Sequence, residues 1–314
     1  MNIYFSRISQ LFYKNEAESL VSLDEFIPVI NGIPRFVKSD NYASAFGRQW
    51  NRFQKTQLDS SIKFPLSQER LQRCLGDDLW ENLDGKLVLE AGCGAGRFTE
   101  VLLKQGAIVV SVDLSDAVDS NHRNFPISDK HFICQADINA LPFKEEFFDI
   151  VICLGVIQHT RNSEEAISSL YSHVKKNGNL VIDHYRRTPS FITRLLPIYR
   201  FVLKYLDIKD SLKFTESLVK FWFPLHKILG RNLFLYAILS RFSPIVTYFH
   251  CYPLLSLQAQ YDWSIMDTHD SLFDYYKRLK TVNEIRDTLN KLPGASNFIV
   301  KKGGIGIEAR CIKS

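Results

Sequence analysis

A chain of 314 residues, 46% of them apolar, can bury a large core, and its length accommodates one catalytic domain of roughly 200 residues with elaborations. No N-terminal stretch joins a basic start to a short apolar run and a small-residue cleavage site, so the chain is expected to be cytoplasmic rather than secreted. The formal charge of +5 is concentrated between Arg186 and Arg241, where eleven Lys and Arg face three acids (Asp207, Asp210 and Glu216), which leaves the rest of the chain net acidic.

Residues 1–82 read as an N-terminal extension with aromatic residues at Phe36, Tyr42, Phe46, Trp50 and Phe53. From Lys86 onward, short apolar runs alternate with helix-like segments, the pattern of a parallel sheet covered by helices on both faces. Strands are predicted over 86–90, 107–113, 131–137 and 147–155, the last two apolar enough to be buried on both sides. A helix is predicted over 163–176, with Asn162 or Ser163 as its cap, Glu164 and Glu165 in the first turn and Lys175, Lys176 and Gly178 at the end. A strand at 179–185 follows. Residues 186–255 then form a basic, aromatic insertion of three or four helices broken near Pro197, Pro224 and Pro244, in which charges and prolines interrupt every apolar run before it reaches the ~18 residues of a membrane span. A helix over 281–292 and a hairpin turning at Gly303 and Gly304 close the chain. The expected fold is α/β: a Rossmann-like sheet of seven strands, mostly parallel, with a terminal antiparallel hairpin. Its domain spans 83–185 and 256–314, with 186–255 as a helical cap and 1–82 packed near the ligand site.

The six cysteines (Cys74, Cys93, Cys134, Cys153, Cys251 and Cys311) are scattered and never form the C-x2-C spacing of a structural zinc or redox motif, so they read as free thiols and no metal is expected. The sharpest local signal is Glu90-Ala91-Gly92-Cys93-Gly94-Ala95-Gly96, directly after a strand and opening a helix, where glycines let backbone approach a ligand at the carboxyl end of the sheet. The dinucleotide spacing G-x-G-x-x-G fails because its last position is Arg97. A carboxylate at Glu90 would also repel a pyrophosphate, whereas it suits a cationic ligand. Asp113 ends the second strand, 23 residues after Glu90, where an acid can accept hydrogen bonds from a ribose diol; a helix cap is the competing reading. Asp137 with Ile138 fits an acceptor for an adenine amine beside an apolar wall; the competing reading is an ordinary turn aspartate.

The run VLEAGCGAGRFTE, the SVDLS after the second strand, QADINALPF and FDIVICLGVIQHT resemble, in order and spacing, the cofactor-site motifs of class I S-adenosylmethionine-dependent methyltransferases over residues 86–185. The resemblance implies S-adenosyl-L-methionine as cofactor: Glu90, Gly92, Cys93, Gly94 and Gly96 around its methionine moiety, Asp113 and Leu114 at the ribose, Asp137 and Ile138 at the adenine, and Leu154 and Gln158 completing the site. INGIPRFV (30–37), YASAFGRQWNRFQKTQLDS (42–60) and WSIMDTHDSLFDYYK (263–277) are similar to a bacterial subgroup of these enzymes associated with sugar or surface-polysaccharide modification. Longer members of that subgroup carry a zinc ribbon before the IPRFV-like segment; here no cysteine precedes Cys74.

Methyl transfer is an in-line displacement needing positioning and, for a hydroxyl acceptor, a base. His159 after the fourth strand and His184 at the end of the fifth are the base candidates. Trp50, Tyr185, Trp263 and His269 are candidates for the acceptor pocket, and Asp267 lies beside them, though aromatic residues are equally core material and a helix start explains the DTHD run as well. The expected acceptor is a hydroxyl, less readily an amine, of a small or glycan-type metabolite. An RNA methyltransferase, a quinone or lipid methyltransferase and a cofactor-binding protein without turnover are the rivals. No recognised RNA-binding module is found, so no stable nucleic-acid partner is expected, and 186–255 offers a surface for peripheral membrane contact.

Overall fold

The computed structural model describes residues 13–15, 19–21, 26–38, 41–188, 195–206, 210–304 and 306–314; the remainder of the extension and of the insertion lies outside the described residues. The described chain divides into two units. The first comprises residues up to Gln54, Pro65–Arg186 and Tyr276–Ser314; the second comprises Lys55–Phe64 and Arg187–Tyr275.

The first unit begins with a small antiparallel ribbon of β1 (Tyr13–Asn15), β2 (Ser19–Val21), β3 (Phe26–Ile30) and β4 (Ile33–Pro34). The large sheet follows with β5 (Leu87–Ala91), β6 (Ile108–Asp113), β7 (His131–Gln135), β8 (Phe148–Cys153), β9 (Val174–Tyr185), β10 (Ala295–Gly303) and β11 (Gly306–Lys313). Its order is β10-β11-β9-β8-β5-β6-β7. The pairs among β5 to β9 are parallel and β11 runs antiparallel to both β9 and β10, as expected from the sequence. Because the strand order reverses between β5 and β8, the crevice for a ligand is expected at the carboxyl ends of these two strands, where such sheets bind.

The central strands are buried on both faces. Leu89, Val110, Val151 and Ile182 pack on one side, and Val88, Val109, Ile150 and Val181 on the other. The helix expected to reach residue 176 ends at Ser172 instead, and Val174 to Gly178 belong to β9. A register shift between Phe148 and Ile150 marks an irregular start, and a side chain at Gly178 would lie 2.8 Å from the Asp149 carbonyl, so the Lys-Lys-Asn-Gly run forms a strand irregularity instead of a helix end. Val282–Asn290 is a helix closed by a capping box in which Thr281 and Glu284 bond each other's backbone.

The second unit is helical: Asp59–Ile62, Leu196–Lys204, Ser211–Leu229, Leu233–Phe242 and Leu257–Phe273. The boundary expected after residue 255 therefore falls after Tyr275. The cause is packing: Trp263 is buried between Tyr248 and Tyr252 and donates to the Thr56 carbonyl at 2.7 Å, which ties its helix to this unit. Pro197 stands at a helix start, as expected, but Pro224 lies inside the 211–229 helix, which continues through it.

Candidate functional site

Glu90 lies near the carboxyl end of β5 and is almost wholly buried. Its Oε2 accepts hydrogen bonds from Thr99 Oγ1 at 2.5 Å and Ser111 Oγ at 3.0 Å. Asn121 donates to Thr99, and His131 bonds Ser111, so a closed polar network fixes one carboxylate oxygen. The other, Oε1, is buried with no partner. Burial pushes the carboxyl up to about 7, against the lowering effect of the two hydroxyls. A buried acceptor left open in this way fits a donor cation from outside the chain.

The loop after Glu90 is drawn onto the second strand. Gly92 N and Cys93 N both bond the Val112 carbonyl, and Gly94 N donates to Asp113 Oδ2 at 3.0 Å. Gly92 and Gly94 have φ of 81° and 51°, a region costly for any side chain. A Cβ on Gly92 would run into Val156, and one on Gly94 would stand 3.1 Å from the Trp50 indole. The glycines let protein close over the loop, and Val156 and Trp50, the latter on the helix Ser44–Arg52, are the residues that do so. Gly96 donates to the Cys93 carbonyl and leads into the helix Arg97–Lys104; the buried Cys93 thiol is pushed far up by burial.

Asp113 is half-buried at the end of β6, and its Oδ1 accepts from the backbone and hydroxyl of Ser115 at 2.8 and 2.7 Å. Burial raises its carboxyl despite these bonds. Leu114 offers its carbonyl to Gln135 and Asn41. Asp137 uses Oδ1 to accept from the backbone and side chain of Asn139, the turn role that competed with the adenine role; Ile138 is core. A residue that sequence reasoning did not assign feels the charge of both carboxylates. The Tyr42 hydroxyl is pushed up to about 12 by burial and by the nearby charges of Asp137 and Asp113. Tyr42 precedes the Trp50 helix and stacks edge-on against Tyr276.

Past β8, Leu154 is buried and Gln158 is fully enclosed, with neither atom of its amide bonded. His159 is half-buried, edge-on to Phe46 and Tyr185, and its Nδ1 donates to the Tyr276 carbonyl at 3.3 Å. That hydrogen bond sets the tautomer with the lone pair on Nε2. Lys277 lies 5.5 Å from the centroid of the Tyr185 ring. His184 is different: it is fully buried, with Nε2 bonded to Ser163 Oγ and Nδ1 to the Tyr185 carbonyl, each at 3.0 Å, and burial lowers its basicity. With both nitrogens occupied inside the protein it has no atom to offer an acceptor, which corrects its assignment as a base.

A second unassigned feature is the neighbour of His184. Asp183 is buried, accepts from Gly155 N at 2.6 Å and pairs with Arg70, so it ties the loop after β8 to the helix Leu66–Leu75. Burial opposes the charge on Arg70, yet Asp183 keeps it firmly protonated. Trp263 and His269, expected at the acceptor pocket, are enclosed in the helical unit. Trp263 is fixed as described above, and His269 Nε2 bonds Ser211 Oγ at 3.0 Å while its ring stacks on Phe273.

Residues 89–182 match the family described as methyltransferase domain. The matched segment runs from β5 into β9 and includes every residue discussed at the carboxyl ends of β5 to β8. Ubiquinone biosynthesis O-methyltransferase of Coxiella burnetii is 36% identical over 101 residues, 31% of this chain and 43% of that protein. Its counterpart in Glaesserella parasuis is 32% identical over 145 residues, 41% of this chain and 58% of that protein. The chain thus aligns with about half the length of these relatives. Among solved structures, magnesium protoporphyrin IX methyltransferase of Synechocystis PCC 6803 with bound SAH is 17% identical, with a TM-score of 0.47 over 87% of this chain and 97% of that one.

Proposed function

We propose that the chain transfers a methyl group from S-adenosyl-L-methionine to a hydroxyl oxygen. The observation that carries this reading is Glu90 Oε1, a buried and unpartnered carboxylate oxygen at the carboxyl end of the central strand. An ammonium is the donor that answers it, and no pyrophosphate could lie beside it without repulsion. The family match over 89–182 supports the same cofactor.

In this reading Glu90 and the loop Gly92, Cys93, Gly94 and Gly96 hold the amino-acid end of the cofactor, and the remaining lone pairs of Asp113, beside Leu114, take the ribose. Asp137 and Ile138 flank the adenine. Leu154 and Gln158 close the floor, the open amide of Gln158 supplying one donor and one acceptor. When bound, S-adenosyl-L-methionine supplies a methyl carbon activated by its sulfonium. His159 Nε2 takes the proton of the acceptor hydroxyl, its orientation fixed from behind by the Tyr276 carbonyl. Trp50 and Tyr185 offer aromatic walls to the acceptor.

For the acceptor we favour a small or sugar-like metabolite, the reading supported by the IPRFV and FGRQW segments. A phenolic quinone precursor is the second reading, supported by the names of the relatives aligned to this segment. Calorimetry with S-adenosylmethionine, S-adenosylhomocysteine and NAD tests the cofactor, and NAD binding more tightly than the other two would overturn the reading. Labelled methyl transfer to nucleotide sugars, glycans, phenols and RNA tests the acceptor. Transfer to phenols alone selects the second reading, and transfer to RNA alone rejects both.

A further inference from the structure

Three helices of the helical unit turn apolar side chains outward. On Leu196–Lys204 these are Ile198, Phe201 and Val202; on Ser211–Leu229, Phe221 (76% exposed) and Ile228 (75%); on Leu233–Phe242, Leu233, Phe234 (71%) and Ile238. The inward face of the middle helix is occupied separately by Thr215, Val219, Phe223 and His226, so its outward row is a second apolar face and not an exposed edge of the core. The faces adjoin. Leu195 N bonds the Arg241 carbonyl at 2.8 Å and the Tyr199 hydroxyl bonds the Phe242 carbonyl at 2.8 Å, which joins the start of the first helix to the end of the third. Scattered apolar residues on a surface need no explanation, whereas a contiguous field of them marks an interaction site.

The charge beside this field selects its occupant. Lys213, Lys220 and Lys227 are all exposed and recur every seventh residue, which puts them in one row along the helix, on the flank of Phe221, Pro224 and Ile228. Arg231 and Arg241 are exposed at the ends of the adjoining helix. Among the described residues of 195–242 the acids are Asp210, which pairs with Lys213, and Glu216. A row of lysines beside projecting aromatic and branched side chains suits a surface that is apolar within and anionic at its rim. No helix among the described residues is long and apolar enough to cross a membrane, so the contact is with the interface.

We propose that the outward face of helices 196–204, 211–229 and 233–242 docks on the surface of an anionic lipid bilayer, with Phe201, Phe221, Ile228 and Phe234 entering the headgroup layer and the lysine row facing the lipid phosphates. The proposal does not depend on methyl transfer, and its test uses the full chain without cofactor.

The test is flotation with phosphatidylcholine vesicles, with and without phosphatidylglycerol, at low and high salt. The chain is expected to float with the anionic vesicles alone and to be released by salt. Reversing Lys213, Lys220 and Lys227 to Glu together should lower the partition coefficient by at least about tenfold, since each cation near the surface contributes to binding. Phe221→Ser, Ile228→Ser and Phe234→Ser together should do likewise by removing buried apolar area, about tenfold or more. All six side chains are exposed, and circular dichroism with a thermal melt confirms that the variants stay folded. Absence of flotation, or flotation equal in wild type and both variants, overturns the proposal. So does a dimer in light scattering that the serine variant dissociates while no vesicle binds, which would assign the face to a second copy.

Discussion

At the carboxyl end of the sheet, Glu90 keeps one oxygen without a partner and Gln158 keeps its whole amide open, both deep inside the protein. In the helical unit the buried histidine is closed instead: His226 bonds Thr247 through Nδ1 and Ser243 through Nε2, each at 2.8 Å, and burial lowers it to about 4. His269 bonds Ser211, and Trp263 bonds the Thr56 carbonyl. An enclosed polar group that has found its partners in the chain is part of the packing; one that has not costs stability until something else supplies them. Gln260 Oε1 is open in the helical unit too, so the contrast holds between Glu90 with Gln158, which stand together at the strand ends beside the glycine loop, and His226, His269 and Trp263, and not between the two units as wholes.

The largest expected effect sets His159 against His226. His159→Ala should lower turnover by about 10² to 10⁴ while cofactor affinity is nearly unchanged, the usual loss for a positioned base. His226→Ala should leave turnover per folded molecule intact and lower the melting temperature. His184→Ala should behave like His226→Ala, since both its nitrogens are occupied. Steady-state kinetics with active-site titration decides the matter, and equal turnover in His159→Ala and wild type would leave proximity as the whole mechanism.

Next in size is the buried ion pair behind the site. Arg70→Met strands Asp183 without its cation and should destabilise the chain by about 3 to 5 kcal/mol, as breaking one side of such a pair does. Charge reversal of the exposed Lys220, which pairs with no carboxylate among the described residues, should change stability by less than about 0.5 kcal/mol. Urea unfolding of both variants measures the contrast. Similar losses would mean that Asp183 is already satisfied by Gly155 alone.

Glu90 sharpens the comparison through pH. Its folded carboxyl titrates near 7, above the usual carboxylate range, so the folded state binds the extra proton and the group's cost to stability grows as pH rises from about 4.5 to 7. His226 runs the other way: it is held neutral in the fold, so stability falls as pH drops below about 6.5 toward 4. Glu90→Gln should therefore flatten the upper part of the pH–stability curve and raise stability at pH 8, while weakening binding of S-adenosylmethionine by about 1 to 3 kcal/mol. Wild-type affinity should itself decline as pH falls through 7. Calorimetry across pH 6 to 8 would refute the assignment by finding a flat profile.

The comparison also explains what the sequence made legible. The strands and the glycine loop could be read because their signals are local: apolar runs, turn glycines and a carboxylate within a few residues of one another. Contacts between distant segments left no such signal. Arg70 meets Asp183 across 113 residues, and Trp263 meets Thr56 across 207, so both the tie behind the site and the true boundary of the helical unit were hidden. Tyr42 sat in a segment read as aromatic, but its exposure to the charges of Asp113 and Asp137 depends on the fold of the extension. At Lys175 to Gly178 a local signal misled, since basic residues before a glycine describe a helix end and an irregular strand start equally well.

The smallest expected effect tests the outside of the helical unit against its inside on a single helix. Phe221 and Phe223 are two residues apart on Ser211–Leu229, yet Phe221 is 76% exposed and Phe223 is buried against Phe249 and Tyr261. Removing the buried ring should cost about 3 to 5 kcal/mol, because the cavity adds to the lost transfer energy. Phe221→Ser removes a ring that buries little in the folded chain, so the change in urea midpoint should correspond to less than about 0.5 kcal/mol at an unchanged slope. A side chain so costly in water and so cheap to remove is not held there by the stability of the fold. If Phe221→Ser instead destabilises the isolated chain by 2 kcal/mol or more, on the scale of a core substitution, the ring is packed in solution and the outward face is not a surface at all.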